Sequence, residues 1–265
     1  MIQGQKMQHE NLICEHISVS RQQTWNDCQA KYKFRYHLKM IPEGPIQPYF
    51  VYGKVVHKIA EEYVRNQGDI PIEKIGADVL SGKIPCEDGA TSPPFLEPDY
   101  KKKLPEHLAN IKLISNKIGF DGHLEYPFKY DMQPPDGHMI TGVIDRLIIR
   151  GEKYFILDYK TTKKGRWRKN PNNIGKDLQL RCYARVVQKL FGAKAENIQA
   201  ALYYLDGGNL VSTRFTDESI LSAEQELHET YKNIISTNPN DVYGRVGDQC
   251  RRCDYRQICP FYSLT

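Results

Sequence analysis

Two apolar runs joined by a polar turn constrain this chain more than any other feature: GVIDRLIIRGEKYFILDYKTTKKG at 142–165. Ile144, Leu147 and Ile149 flank Asp145 in the first run. Tyr154, Phe155, Ile156 and Leu157 lead into Asp158-Tyr159-Lys160 in the second, and Arg150-Gly151-Glu152 is the turn between them. This is the pattern of a β-hairpin with charge at the strand ends. Alternation along a strand puts Asp158 and Lys160 on one face, and Asp145 can face them from the partner strand. Charges embedded in apolar runs need partners. Two carboxylates and an ammonium converging at a sheet end suit a divalent cation and a phosphate.

The rest of the chain places that hairpin in an α/β setting. Residues 18–38 carry a helical pattern, with Ser20 as the expected N-cap and Trp25, Cys28, Tyr32 and Tyr36 on related faces. FVYGKVVHKIAEEYVRN (50–66) spaces Val55, Ile59 and Tyr63 as a second helix. Gly82, Pro85, Gly89, Pro93, Pro94 and Pro98 mark 81–98 as a long loop. A helix is expected over 99–118, a strand over 123–131 and a turn over 133–138. Beyond the hairpin come a polar basic loop (163–173), an amphipathic helix (176–192) ended by Gly192, two strands (199–206 and 210–215) around Gly207-Gly208, and a helix over 217–236. No repeat, low-complexity tract or clean linker interrupts the chain. The reading is therefore one domain over 1–265, with a helical part at 50–120 and a catalytic sheet core at 121–216. Its fold class is α/β, a central mixed sheet flanked by helices.

Composition narrows the function less. A chain of 265 residues can bury a large core. No apolar run approaches the roughly 18–20 residues that span a bilayer. The first residues, MIQGQKMQHENLICEH, lack the basic and apolar regions of a secretory signal, so a soluble, cytoplasmic protein is expected. A net charge of +5 permits a polyanionic partner without demanding one. A G-x4-G-K-[ST] phosphate loop is missing, so the chain carries no motor of that kind.

Seven cysteines, an odd number in a chain of this kind, argue against a disulfide framework. Cys250, Cys253 and Cys259 form a C-x2-C-x5-C run, and Cys28 stands far upstream. Cys14 and Cys86 lie in unrelated contexts, and Cys182 reads as a packed thiol. Zinc sites generally use a second C-x2-C pair or histidines, which the run lacks nearby. The residues by themselves leave zinc, iron–sulfur and no cofactor open.

GVIDR…ILDYKT, then QLRCY at 179–183, with GKVVH (53–57) upstream and the cysteine run at the end, resembles the RecB-type branch of the PD-(D/E)XK nuclease superfamily. One upstream cysteine plus C-x2-C-x5-C resembles that branch's iron–sulfur subgroup, which includes CRISPR-associated RecB-like exonucleases. The resemblance covers about Ser18 to Pro260 and implies a restriction-endonuclease-like core. It implies His57, Asp145 and Asp158 as metal ligands, completed by the backbone carbonyl of Tyr159, and Lys160 as the catalytic lysine. Gln179 and Tyr183 match the branch's Q-x-x-x-Y motif and share a helix face at i and i+4. Asp158 stands where the wider superfamily more often has Glu, which is normal within this branch. Cys28, Cys250, Cys253 and Cys259 would hold a [4Fe–4S] cluster stapling 18–40 to 245–262.

The chemistry agrees with the resemblance. Phosphodiester hydrolysis needs a nucleophilic water and stabilisation of charge at phosphorus. Asp145 and Asp158 suit Mg²⁺ or Mn²⁺, and an imidazole ligand tilts preference towards Mn²⁺. Lys160 beside two carboxylates stays charged, favouring an electrostatic role over that of general base. Glu125 reads either as a supporting carboxylate or as a solvent-facing strand residue. Lys163, Lys164, Arg166, Trp167 and Arg168 read as nucleic-acid contacts, phosphate binding with base stacking, or as a solvated loop. The expected activity is a metal-dependent DNA exonuclease on single strands or duplex ends, with 5′→3′ polarity. It would act in recombination or repair, CRISPR adaptation or phage DNA processing, beside a partner helicase, recombinase or CRISPR integrase. A structure-specific endonuclease and a non-catalytic DNA-binding subunit are the alternatives.

Overall fold

The computed structural model describes residues 11–42, 47–86, 93–132, 137–165 and 168–262. In chain order the main elements are β1 (His16–Ile17), α1 (Val19–Asp27), α2 (Gln29–Tyr32), α3 (Pro48–Arg65), α4 (Ile72–Leu80), α5 (Pro98–Ile118), β2 (His123–Asp131), β3 (Met139–Arg150), β4 (Lys153–Lys160), α6 (Leu178–Phe191), β5 (Ile198–Tyr204), β6 (Asn209–Arg214) and α7 (Asp217–Ile235). The chain divides into two compact units. One comprises Met1–Pro45, Lys129–Gly142 and Ser222–Thr265, the other Ile46–Phe128 and Val143–Leu221.

The second unit is built on the expected hairpin. Strands β3 and β4 pair antiparallel from Arg146↔Leu157 to Arg150↔Lys153. The two-residue turn needs a left-handed residue, supplied by Gly151 at φ +59. Strand β4 then pairs parallel with β5, from Tyr154↔Ile198 to Lys160↔Tyr204, and β5 pairs antiparallel with β6. Strand β2 pairs with β3. The sheet is thus mixed, as the α/β reading requires. Parallel pairing of β4 and β5 demands a crossover, which α6 supplies. Its capping follows ordinary rules: Asp177 accepts from the Leu180 N–H at 3.1 Å, and Gly192 ends it left-handed at φ +66. Ile156, Leu157 and Asp158 at the centre of β4 are all buried.

Helices α3, α4 and α5 bury Val55, Val56, Ile59, Ile75, Val79, Leu108 and Ile111 in one cluster with Leu157, Tyr159, Ala201 and Tyr203 of the sheet. Helix α4 lies within the expected helical part at 50–120, where the patterning gave it no bounds of its own. Pro71 precedes it in place of a side-chain cap. Gly76, ordinarily a helix breaker, faces Leu108, whose Cδ1 would stand 3.4 Å from an added Cβ. Tertiary packing overrides local propensity here. The loop expected over 81–98 is non-helical where described, except that α5 starts at Pro98. Residues 87–92 lie outside the described chain, as do 133–136 of the expected 133–138 turn.

In the first unit β1 pairs parallel with the start of β3 (His16↔Met139, Ile17↔Ile140). The N-cap of α1 is Ser18, not Ser20. The Ser18 hydroxyl accepts from the Arg21 N–H at 3.3 Å, so the helix starts two residues earlier than expected. The single helix expected over 18–38 is broken at Cys28, whose extended backbone (φ −167, ψ 113) separates α1 from α2. A π-helical turn over Lys33–His37 follows. The C-terminal tail is tied to these elements. The Tyr255 hydroxyl donates to the Met40 carbonyl at 3.1 Å, Lys33 donates to the Pro239 carbonyl at 2.7 Å, and the Ala30 N–H donates to the Tyr243 carbonyl at 3.1 Å.

Candidate active site

The charged end of the hairpin gathers most of the expected residues, all within the second unit. One further step of the β3–β4 register sets Asp145 opposite Asp158. Asp145 Oδ2 accepts from the Tyr159 N–H at 2.8 Å, which fixes the carboxylate against β4. The same oxygen lies 3.4 Å from Nδ1 of His57, which α3 delivers. Glu125 of β2 completes the group: ligand atoms of His57, Glu125 and Asp145 lie within 4.8 Å of one another. Glu125 holds a positive φ of 43, a conformation that costs a non-glycine residue energy. Burial, followed by repulsion from Asp145, pushes its carboxyl pKa up to about 7. Two crowded carboxylates with an imidazole are the donor set of a hard or borderline divalent cation, whose charge would relieve that repulsion.

Asp158 is 1% exposed and turns to Lys160, with Oδ2 2.7 Å from the ammonium. The expected common face of Asp158 and Lys160 is therefore present. Burial drives the Asp158 carboxyl up, against the pull of Lys160. Burial also works against the charge on Lys160, but the Asp158 and Asp145 carboxylates outweigh it and raise the lysine's pKa. The Lys160 ammonium donates to Gln179 Oε1 at 2.9 Å, and Gln179 Nε2 donates to the Tyr183 hydroxyl at 2.7 Å. Gln179 and Tyr183, one turn apart on α6, thus hold the lysine in place. Tyr183 is buried, and its hydroxyl is pushed well above the usual phenol range by burial, with Asp158 adding to it.

His57, Glu125, Tyr159 and Lys160 open onto one cleft of about 710 Å³, lined also by Tyr49, Phe50 and Lys54. A divalent cation bound there supplies Lewis-acid polarisation of a phosphodiester and a lowered pKa for water. The chain's own contribution is the donor set, an ammonium fixed from two sides, and a carboxylate buried behind it.

The basic loop is divided. Lys163 and Lys164 are exposed. Arg166 and Trp167 lie outside the described residues. Arg168 turns inward: it donates to the Thr162 carbonyl at 2.7 Å and the Asp206 carbonyl at 2.6 Å, pairs with Asp206 at 3.0 Å, and lies over the Tyr204 ring at 4.7 Å. It braces the loop's base.

A second candidate centre lies in the first unit. Cys28, Cys250, Cys253 and Cys259 line one hollow with Lys31, Arg245 and Arg256. Burial raises the Cys253 thiol, and neighbouring Cys28 adds to the shift. The hollow thus brings Cys28 to the same place as three cysteines from a segment more than 200 residues downstream. Cys14 and Cys182 are buried elsewhere, and Cys86 lines the cleft of the second unit.

A family model for the PD-(D/E)XK nuclease superfamily matches residues 16–260. The chain belongs to that superfamily. Its mixed sheet is the restriction-endonuclease-like core. It is 26% identical over 125 residues to a CRISPR-associated exonuclease Cas4 of Francisella tularensis subsp. novicida (strain U112). That match covers 46% of this chain and spans 57% of the length of that relative. The crystal structure of SSO0001 matches with TM-score 0.39 at 16% identity, over 87% of this chain and 93% of that one. Among the described residues, no helix is long and apolar enough to cross a membrane.

Sequence reasoning underweighted Glu125. Its neighbours in HLEYPFKYD read as an ordinary alternating strand, and only the strained backbone and the approach of Asp145 mark it out. Arg146 was also missed. It is fully buried and donates through Nη2 to the carbonyls of Gly119 (2.6 Å) and Asp121 (2.9 Å), which fixes the connection from α5 into β2.

Proposed function

We propose that the protein is a DNA exonuclease that hydrolyses phosphodiester bonds with Mg²⁺ or Mn²⁺, acting on single strands or duplex ends in the 5′→3′ direction. The observation that carries this reading is the His57–Glu125–Asp145 donor set, whose His57 and Glu125 share one cleft with Lys160, itself held by Asp158 and Gln179. His57, Glu125 and Asp145 would hold the cation, with Asp158 and the Tyr159 carbonyl completing its surroundings. Lys160 would place its charge against the phosphate as negative charge develops there. Exposed Lys163 and Lys164, together with Arg166 and Trp167, would contact the strand.

The four cysteines would carry a [4Fe–4S] cluster with a structural role. Four thiolates are the ligand set such a cluster needs. The partial likeness to a CRISPR-associated exonuclease supports the exonuclease reading. A CRISPR integrase, a helicase or a recombinase would be its partner in CRISPR adaptation, recombination or repair.

The deciding experiment compares end-labelled linear DNA with circular single-stranded DNA of the same sequence, in Mn²⁺, for the wild type and Lys160→Ala. The wild type is expected to release label from the linear strand and leave the circle intact, and Lys160→Ala to bind both DNAs without releasing label. A cut circle would instead mean an endonuclease. Binding without cleavage of either DNA by the wild type would mean a non-catalytic subunit.

A further inference from the structure

The lip of the cleft carries two side chains that the catalytic chemistry does not use. Tyr49 and Phe50 open helix α3 and are 43% and 47% exposed. Their ring centroids lie 4.5 Å apart at an interplanar angle of 38°. Both rings line the same cleft as His57 and Lys160. Phe50 and His57 are seven residues apart on one helix, so they lie on the same face, about 10 Å apart along the axis at a rise of ~1.5 Å per residue.

Between them stands Gly53, in the interior of the helix, where glycine costs about 1 kcal/mol relative to alanine. Among the described residues nothing requires it. A Cβ there would meet no atom within 4 Å. A glycine that no described neighbour needs, on the face of a ligand cleft, is accounted for by something outside the chain that approaches the backbone closely. Exposed Lys54 beside it supplies positive charge along the same path.

We propose that Tyr49 and Phe50 form a stacking platform for an unpaired nucleobase, with Gly53 the open floor over which the sugar–phosphate backbone passes towards His57. The inference rests on the nuclease reading and deepens it. A flat aromatic surface accepts any base through its π-face but only once that base has left its own stack. The platform therefore selects a single-stranded segment beside the scissile phosphate. It takes a neighbouring base, because a helical separation of about 10 Å lies between the aromatic pair and His57.

The test uses an end-labelled oligothymidylate in which a single abasic residue is moved stepwise along the strand. Binding is read by fluorescence anisotropy with Ca²⁺, and cleavage under single-turnover conditions with Mn²⁺. For the wild type, an abasic residue at one position should weaken binding about tenfold, equivalent to about 1.4 kcal/mol. The double variant Tyr49→Ala/Phe50→Ala, at side chains already nearly half exposed, should bind the intact strand about tenfold more weakly. It should also be indifferent to the position of the abasic residue. Phe50→Trp, which keeps a stacking surface, should retain the position dependence.

A wild type indifferent to the abasic position would overturn the proposal, as would a double variant that keeps the dependence. If the abasic pattern appears in binding but the wild type cleaves nothing in Mn²⁺, the nuclease reading falls and the platform stands.

Discussion

Replacing Gly53 sets the preference of the helix against the need of the cleft. Gly53 lies inside α3 and has no unusual φ, so alanine fits its backbone without strain. An added Cβ meets nothing within 4 Å, so there is no steric penalty to subtract. The full difference in helix propensity, about 0.8–1 kcal/mol, should therefore appear as added stability in Gly53→Ala. For a chain of this size that is a rise of roughly 2–4 °C in Tm, readable by far-UV circular dichroism. Leucine is nearly as good a helix former, so Gly53→Leu should keep most of the gain while its side chain fills the floor of the cleft. Displacing the strand by an ångström or more should slow single-turnover cleavage about a hundredfold. A lower Tm in Gly53→Ala would refute the claim that the position is open. A stabilised Gly53→Leu that cleaves at the wild-type rate would show that the strand does not cross this part of α3.

Arg146→Met removes two charge-assisted hydrogen bonds that hold the α5–β2 connection, so it should destabilise the fold by about 3 kcal/mol in urea titration, and an unchanged midpoint would contradict that role. His107 is fully buried beside the Tyr52 hydroxyl at 2.8 Å, and burial holds its pKa below the usual 6.5. The unfolded chain then takes up the proton more readily, so the stability due to neutral His107 is complete above pH 6.5 and declines as pH falls towards the folded pKa. His107→Gln should flatten this part of the stability profile, and an identical slope in both proteins would argue against it. Cys259→Ala, purified anaerobically, should lose its visible absorbance and most of its iron, whereas retained iron would exclude that thiol as a ligand.

The hairpin was legible because its two signals are local: period-2 apolar patterning and a glycine at the turn. Strand β2 matches its expected span, 123–131, for the same reason. Helix α4 had no bounds of its own within the helical part at 50–120, because its interior Gly76 carries no local helix signal and is explained only by Leu108 of α5. The choice of Ser18 over Ser20 as cap turns on which hydroxyl reaches the Arg21 N–H, which spacing does not reveal. In the site, Asp145, Asp158 and Lys160 could be picked out by charge within apolar strands, but Glu125 could not. Its place beside Asp145 comes from the β2–β3 pairing and an unusual φ, neither written in residue type. The inward turn of Arg168 depends on Asp206, 38 residues away.

If His57, Glu125 and Asp145 share one divalent cation beside Lys160, that cation binds only while the Asp145 carboxylate is present. Electron paramagnetic resonance of Mn²⁺ titrated into the wild type and into Asp145→Asn tests it most directly, because free and bound Mn²⁺ differ in signal. The account predicts a bound fraction in the wild type that is lost in Asp145→Asn while the fold is retained. Equal Mn²⁺ binding by the two proteins would contradict it.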